Sequence, residues 1–168
     1  MDNPQVTDLE IAWLAGIWDG EGTISVRKNI RIKQYSPRVS MVNTNAAMLS
    51  KVAQILEGLG IKFHLREKGQ GGFDGSSKQC WIISVEHLTG AQNLVSTMMP
   101  YLTAKKPQGE LLLRFVKSRI LRRGTEAGGN GYAPYNEDEL RTLELIYVVN
   151  GNQRGTSETI REGAKISA

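Results

Sequence analysis

The stretch that decides the fold of this chain is LAGIWDGEG at residues 14–22. It continues an apolar segment that begins at Ile11 and ends in two carboxylates, Asp19 and Glu21, separated by one glycine. A carboxylate at the C-terminus of a buried helix is unfavourable, because charge burial is costly and that end of the helix dipole is negative. A bound divalent cation would offset both effects. We therefore interpret the segment as a packing helix that carries a metal-binding acid to a working surface.

The composition is that of an ordinary globular protein. A length of 168 residues is enough for one domain with a sizeable core. A single cysteine excludes an intrachain disulfide and a cysteine-rich zinc site. Two histidines far apart in sequence leave few other ligands for zinc. No apolar run reaches the ~18 residues that a membrane helix needs, and the acidic N-terminus shows no secretory signal. We expect an intracellular protein, in the cytoplasm or an organelle matrix, with no membrane partner.

The distribution of charge is more informative than the net value of +4. No Asp or Glu occurs between Gly22 and Leu56, and residues 105–123 contain seven bases and one acid, Glu110. A surface of this polarity attracts polyanions, and phosphate contacts dominate the affinity of proteins for nucleic acids. A solvated basic face without a ligand is the alternative interpretation of the same pattern.

Periodicity predicts helices and strands in an order typical of an α+β fold. Thr7 and Glu10 form a capping box for a first helix. Alternation predicts strands at residues 23–32, with Ile30 and Ile32 on the buried side, and at 35–42, 61–68 and 79–85. It is imperfect near Lys28 and Asn29, which leaves a bulge or turn there as the alternative. Further helices are expected at 45–59, 88–99, 107–123 and 137–149, with Pro107 at a first helical position, and a short one from Thr156.

This order predicts an antiparallel sheet with helices on one face. We expect a single domain over residues 1–168, with a core at 7–123 and a C-terminal helical extension at 136–168. The other face of the sheet is left polar and basic, which suits the DNA major groove because that groove admits β-ribbons. The predicted DNA-binding residues are Ser25, Arg27, Asn29, Arg31, Lys33, Gln34, Arg38, Ser40, His64, Arg66, Lys68, Gln70 and Gln79.

The first helix also carries small residues on one side. Ala12, Ala15, Gly16 and Asp19 recur at helical spacing. Small side chains permit another helix to approach closely, either the second helix of the same chain or the first helix of a second copy. We predict these four residues as a dimer interface.

The acids of residues 14–22 suit phosphodiester hydrolysis. That reaction needs a nucleophilic water and stabilisation of developing charge, which divalent ions supply. Magnesium binds through one or two carboxylates together with substrate phosphates. Glu21 offers a carboxylate and the Gly20 carbonyl a second oxygen, while the glycines on either side of Glu21 let a DNA backbone approach.

Residues 14–22 resemble the LAGLIDADG motif of homing endonucleases, with conservative changes at several positions. The sequence PYLTAKKPQ at residues 100–108 resembles the segment that places a lysine in the cleavage pocket of family members with a single motif. Residues 156–161, TSETIR, resemble the start of the C-terminal helix in the homodimeric chloroplast enzymes. The resemblance thus spans nearly the whole chain.

The resemblance implies a saddle-shaped antiparallel sheet and an intron-encoded, site-specific DNA endonuclease. It assigns metal binding to Glu21 with Gly20 and catalytic support to Lys105. A polar residue just before the second helix completes the pocket in some members. Here Asn43, Thr44 and Asn45 are all candidates, and we include Asn43 and Thr44 among the catalytic residues.

One motif per chain implies a homodimer, because the family brings two acids to adjacent scissile phosphates. The implied substrate is a long, roughly palindromic duplex, cut to leave 3′ overhangs. Mg²⁺ is the expected cofactor, with Mn²⁺ substituting and Ca²⁺ binding without turnover. Two alternatives remain: a maturase that binds its own intron RNA and assists splicing, and a non-catalytic DNA-binding protein.

Overall fold

The computed structural model describes residues 5–31, 34–68, 79–123 and 133–151. Four strands in these ranges form one antiparallel sheet in the order β1-β2-β4-β3. The elements, in chain order, are α1 (Asp8–Glu21), β1 (Gly22–Asn29), β2 (Gln34–Asn43), α2 (Ala46–Gly58), β3 (His64–Lys68), β4 (Cys80–Val85), α3 (Leu88–Met98), α4 (Lys106–Leu121) and α5 (Glu137–Val149). The predicted α+β class is confirmed. None of the helices in these ranges is both long and apolar enough to cross a membrane.

Short polar side chains begin the helices that the sequence predicted most clearly. The Thr7 hydroxyl accepts the Glu10 N–H at 3.3 Å, and the Glu10 carboxylate accepts the Thr7 N–H at 3.0 Å, so the predicted capping box is confirmed. Asn45 caps α2 by accepting the Met48 N–H at 3.0 Å. Gly60 follows that helix with a φ of 67°, a left-handed conformation that favours glycine.

The helices cover one face of the sheet. Alternate residues of β1 and β2, among them Ile24 and Val39, are buried beneath them. Trp18 of α1 and Phe115 of α4 are the largest fully buried side chains. This apolar core leaves the opposite face of the sheet for function.

Basic residues of α4 are bound to α5. The carboxylate of Glu139, which is 1% exposed, accepts hydrogen bonds from Arg119 at 3.3 Å and Arg122 at 2.7 Å. Nearer solvent, Arg114 pairs with Asp138. Three of the seven bases at residues 105–123 are thus bound to acids of α5, whereas the expectation that the segment attracts a polyanion stays a prediction.

The first strand is shorter than alternation predicted. β1 ends at Asn29, whose side chain accepts the Arg31 N–H at 3.1 Å and closes a turn. Ile30 lies in that turn and is 83% exposed, so its predicted place on the buried side is wrong. Ile32 lies outside the described residues, as does the predicted last helix from Thr156.

Other element boundaries also differ from the prediction, and two of the differences have a local cause. β3 begins at His64 rather than at Ile61, because the Ile61 N–H bonds back to the Leu56 carbonyl at 2.9 Å in the turn that ends α2. Ile61 instead packs in the core. α4 begins at Lys106, so Pro107 is the second helical residue; both positions lack an intrahelical N–H partner, and proline fits either.

Candidate active site and nucleic-acid interface

α1 carries Glu21 to the end of the sheet where β1 begins and β2 ends. Trp18 is fully buried and fixes the helix, whereas Glu21 is exposed as the last helical residue. A Cβ at Gly22 would lie 2.2 Å from Cδ1 of Trp18, so the packed indole requires glycine there. Nothing in the described chain lies within 4 Å of the corresponding position at Gly20, so the surface beside Glu21 is open.

The other acid of the motif, Asp19, binds the loop between α3 and α4. Its carboxylate accepts the backbone N–H groups of Thr103 at 2.7 Å, Ala104 at 3.2 Å and Lys105 at 2.9 Å. Burial opposes ionisation, but the backbone hydrogen bonds from these residues outweigh it and lower the pKa of the Asp19 carboxyl below its usual value. Asp19 is therefore an anionic clamp between two distant segments of the chain.

The same contact brings Lys105 to the motif. Its ammonium donates to the backbone carbonyl of Asp19, two residues before Glu21. The pairing of Gly22 with Met41 in the β1–β2 register puts the end of β2, and so residues 43–45, at the same edge of the sheet. The predicted catalytic residues thus lie at one end of the sheet.

The turn before α2 distinguishes the three polar candidates. The Asn43 side chain accepts the Asn45 N–H at 2.8 Å, and the Asn45 side chain caps the helix. Both amide oxygens are therefore engaged by the backbone. Thr44 lies between them and is exposed, so its hydroxyl is available for a ligand.

The uncovered face of the sheet carries most of the predicted DNA-binding residues. The register places Ser25 opposite Arg38 and Arg27 opposite Ser36 across β1 and β2, and His64 opposite Ser84 across β3 and β4. Residues of the predicted set on this face are Ser25, Arg27, Asn29, Gln34, Arg38, Ser40, His64, Arg66 and Lys68. Arg31 is exposed in the turn after β1, and Gln79 is exposed just before β4. Lys33 and Gln70 lie outside the described residues.

On the inner strands this face carries Arg38 of β2 and the apolar pair of Val42 and Ile82 as well as two short serines. Ser40 and Ser84 are paired on the two inner strands and are only 5% and 4% exposed. Thr23, Ser36 and Ser84 belong to the same face and were missed in the sequence analysis, although the alternation of their strands contains the signal. The buried Nε of Arg38 has no hydrogen-bond partner among the described residues.

The predicted small-residue interface on α1 is wrong at Ala15 and stays a prediction at Ala12, Gly16 and Asp19. Ala15 is fully buried in the chain's own core, and the Asp19 carboxylate is bound to residues 103–105. Compared with the predicted orientation, α1 is rotated so that Ala15 lies on the same buried side of the helix as Leu14 and Trp18. The remaining surface of α1 includes partly buried Ala12 and an exposed row of apolar and small residues: Leu9, Trp13, Gly16 and Gly20.

The metal-binding capacity of one chain is small. Among the described residues there is no group of three or more His, Cys, Asp or Glu side chains able to hold an ion. One exposed carboxylate and a neighbouring carbonyl still fit magnesium, which takes the rest of its oxygen ligands from water and substrate phosphates.

Comparison with known proteins identifies the family. The model of the LAGLIDADG-like domain matches residues 8–96. The homing endonuclease I-CvuI, in complex with the I-CreI target, is similar with a TM-score of 0.63 and 22% identity over 95% of this chain and 94% of that one. The archaeal intron-encoded homing endonuclease I-Vdi141I, complexed with DNA, has a TM-score of 0.65 and 16% identity over 95% and 97%. The group I intron-encoded homing endonuclease I-CeuI, also complexed with DNA, has a TM-score of 0.64 and 16% identity over 97% and 79%.

No curated protein matches the chain. At these identities the solved structures establish a common fold. The family model covers more than half of the sequence and includes α1, the whole sheet and α2. The chain is therefore a member of the LAGLIDADG family.

Proposed function

We propose that this protein is a homodimeric, divalent-metal-dependent homing endonuclease that cuts both strands of a long, roughly palindromic DNA site and leaves 3′ overhangs. The observation that carries the proposal is the position of Glu21. It is an exposed carboxylate at the end of a packed helix, at the edge of the uncovered sheet face, and the Lys105 ammonium is bound to the carbonyl of Asp19, two residues before it. The similar structures support this function, since all three are described as homing endonucleases bound to DNA.

Glu21 and the Gly20 carbonyl would hold the metal ion. A bound Mg²⁺ supplies an activated water and neutralises charge at the scissile phosphate. I-CvuI was studied with 2 mM Mg on the I-CreI target, where the DNA was not cleaved, and with 2 mM Ca on its own target; the use of both cations supports a divalent metal as the cofactor. We expect Mn²⁺ to substitute for Mg²⁺ and Ca²⁺ to permit binding without cutting.

The chain's own side chains supply charge and a polar contact. The ammonium of Lys105 donates to the backbone carbonyl of Asp19, two residues before Glu21, and from that position it would offset charge that develops on a phosphate oxygen. The exposed Thr44 hydroxyl is the best-placed of the turn residues to hold a water, because Asn43 and Asn45 are engaged in the turn and the helix cap.

DNA binding is assigned to the uncovered face of the sheet. Arg27, Arg66 and Lys68 are exposed on its two outer strands. Arginine can read guanine through two hydrogen bonds in the major groove. Arg38 lies between these outer strands on the same face and would contribute a further guanidinium to the contact with DNA.

The dimer is assigned to the exposed row on α1. One chain offers one exposed motif carboxylate, whereas breaks in two strands need two sites. Gly16 and Gly20 are not required to be small by anything in the described chain, since no atom lies within 4 Å of a Cβ at either position. Glycine within a helix is about 1 kcal/mol less favourable than alanine, and close approach of a second α1 gives these glycines a role.

The proposal is tested by selecting a target and then asking for cleavage. Duplexes bound by the protein in Ca²⁺ are recovered from a randomised library, sequenced, and incubated with protein and Mg²⁺. We expect both strands to be cut by the native protein, and Glu21→Gln to bind the duplex but not cut it. Glu57→Gln, which removes an exposed acid of α2, is the matched control and should cut normally.

A native protein that binds the duplex and cuts neither strand would contradict the endonuclease and favour a DNA-binding regulator. Tighter binding to the transcript of its intron than to any duplex would favour the maturase. Unimpaired cutting by Glu21→Gln would remove the assignment of the metal site.

A further inference from the structure

We propose that Asp19 is a positioning residue for Lys105: it fixes the lysine beside the end of α1 and so sets the rate of DNA cutting without contacting DNA. The role in cutting rests on the proposed function. The contact itself does not, and it can be measured separately.

The contact joins two segments more than 80 residues apart in sequence. Three consecutive backbone N–H groups, at residues 103–105, converge on the Asp19 carboxylate within 3.2 Å. One carboxylate oxygen accepts two of them and the other accepts the N–H of Lys105. This arrangement fixes the backbone of Lys105 rather than only its side chain.

The side chain of Lys105 returns to the same residue. Its ammonium donates to the Asp19 backbone carbonyl, so Lys105 is held at both its N–H and its ammonium by a single residue of α1. Lys105 is partly buried, whereas its neighbour Lys106 is exposed. A four-carbon side chain tied at both ends has far fewer conformations than a free surface lysine.

The two helix ends also complement each other electrostatically. α4 begins at Lys106, and no side chain of its own N-cap residue bonds to its first turn. The Asp19 carboxylate of α1 supplies the negative charge that the N-terminus of α4 favours, and the Lys105 ammonium supplies the positive charge that the C-terminus of α1 favours. These contacts explain why Asp19 is tolerated beside Glu21.

The two acids of the motif therefore have different roles. Glu21 faces outward, and Asp19 faces the chain and fixes where the lysine ammonium stands relative to it. Displacement of a reacting group by ~1 Å can slow a reaction about 100-fold. Loss of the clamp should thus lower the rate of cutting while the DNA-binding face remains intact.

A double-mutant cycle tests this role. Single-turnover cutting in Mg²⁺ and duplex affinity in Ca²⁺ are measured for the native dimer, Asp19→Asn, Lys105→Met and the double variant. We expect Asp19→Asn to slow cutting at least about 10-fold with duplex affinity unchanged, and to have no further effect once Lys105 is replaced. Asp138→Asn, which removes an exposed acid on α5, is the control and should cut normally.

A second measurement keeps the contact testable without cleavage. Acetylation of lysines by acetic anhydride is followed by mass spectrometry in the full-length, metal-free protein, with adjacent Lys106 as internal reference. We expect Lys105 to react more slowly than Lys106 in the native protein and at a similar rate in Asp19→Asn.

The possible outcomes separate the two proposals. An equal effect of Asp19→Asn with and without Lys105 would overturn the positioning role and leave Asp19 a purely structural brace. Equal acetylation of the two lysines in the native protein would overturn the contact. A native protein that fails to cut, yet protects Lys105 through Asp19, would overturn the proposed function and the catalytic role of the clamp but not the clamp.

Discussion

Replacing Gly16 by alanine should stabilise the single chain and at the same time weaken the dimer. Gly16 is exposed in the interior of α1, and nothing in the described chain lies within 4 Å of the position that its Cβ would take. Alanine is about 1 kcal/mol more favourable than glycine within a helix. The free energy of unfolding of a single chain should therefore rise by up to about 1 kcal/mol, which raises Tm by about 2–4 °C for a chain of this size.

The effect on association has the opposite sign. In the proposed dimer, two copies of α1 pack through the row that includes Gly16 and Gly20. The methyl group that Gly16→Ala introduces would then replace a hydrogen atom at the closest approach of the two helices. Overpacking of this kind destabilises by about 1–3 kcal/mol. The Kd of the dimer should accordingly rise by about 5- to 150-fold.

Both quantities are accessible for the purified protein without DNA. Thermal unfolding of dilute samples reports the single chain, and sedimentation across a concentration series gives the Kd of the dimer. Ser50→Ala is the control: it improves helix propensity on the exposed face of α2 by about 0.5 kcal/mol and should leave sedimentation unchanged. An unchanged dimer Kd for Gly16→Ala, or a less stable chain, would refute the reasoning.

Three further predictions concern the fold that supports the site. Glu139→Ala leaves buried guanidinium groups without their carboxylate and should destabilise the chain by about 3–5 kcal/mol in denaturant unfolding. Gly22→Ala places a methyl group against Trp18 and should lower Tm and shift tryptophan fluorescence, and unchanged spectra would count against the packing. Lys51 at 2.5 Å lowers the pKa of Glu10 to about 2 from 4.5. Because a depressed carboxyl pKa stabilises above pH 4.5 and this effect is lost toward pH 2, Lys51→Met should lower Tm at pH 7 and not near pH 2.

The sequence predicted those features whose causes are local. The capping box at Thr7 depends on residues three positions apart, and it is confirmed. α5 was predicted with its observed bounds because Asn136 and three following acids form a strong helix start. Strand alternation likewise identified most of the uncovered face.

Features that depend on distant partners were missed. Nothing near Arg119 in sequence indicates that Glu139, twenty residues later, neutralises it within the core. The rotation of α1 follows from which side chains the core accepts, so the small-residue pattern alone misassigned Ala15. The clamp between Asp19 and residues 103–105 needs the packing of α3 and α4 against α1, which no local pattern contains.

Turn chemistry accounts for the remaining differences. The alternating pattern of the sequence extends to Ile30. The Asn29 side chain, however, accepts the backbone N–H of Arg31 and ends the strand. The same kind of bond, from the Asn45 N–H to Asn43, explains why the polar residue before α2 was ambiguous from sequence. Side chains that complete a turn are chemically indistinguishable, in the sequence, from side chains that await a substrate.

The most direct test is a mixed dimer in which only one of the two subunits carries Glu21→Gln. Two differently tagged chains are co-expressed, the mixed species is isolated by both tags, and cutting of each strand of the selected duplex is followed separately in Mg²⁺. Loss of double-strand breaks, with duplex binding retained and one strand at most nicked, is the result we expect if each α1 tip contributes its own acid. Double-strand breaks at the native rate would contradict that assignment.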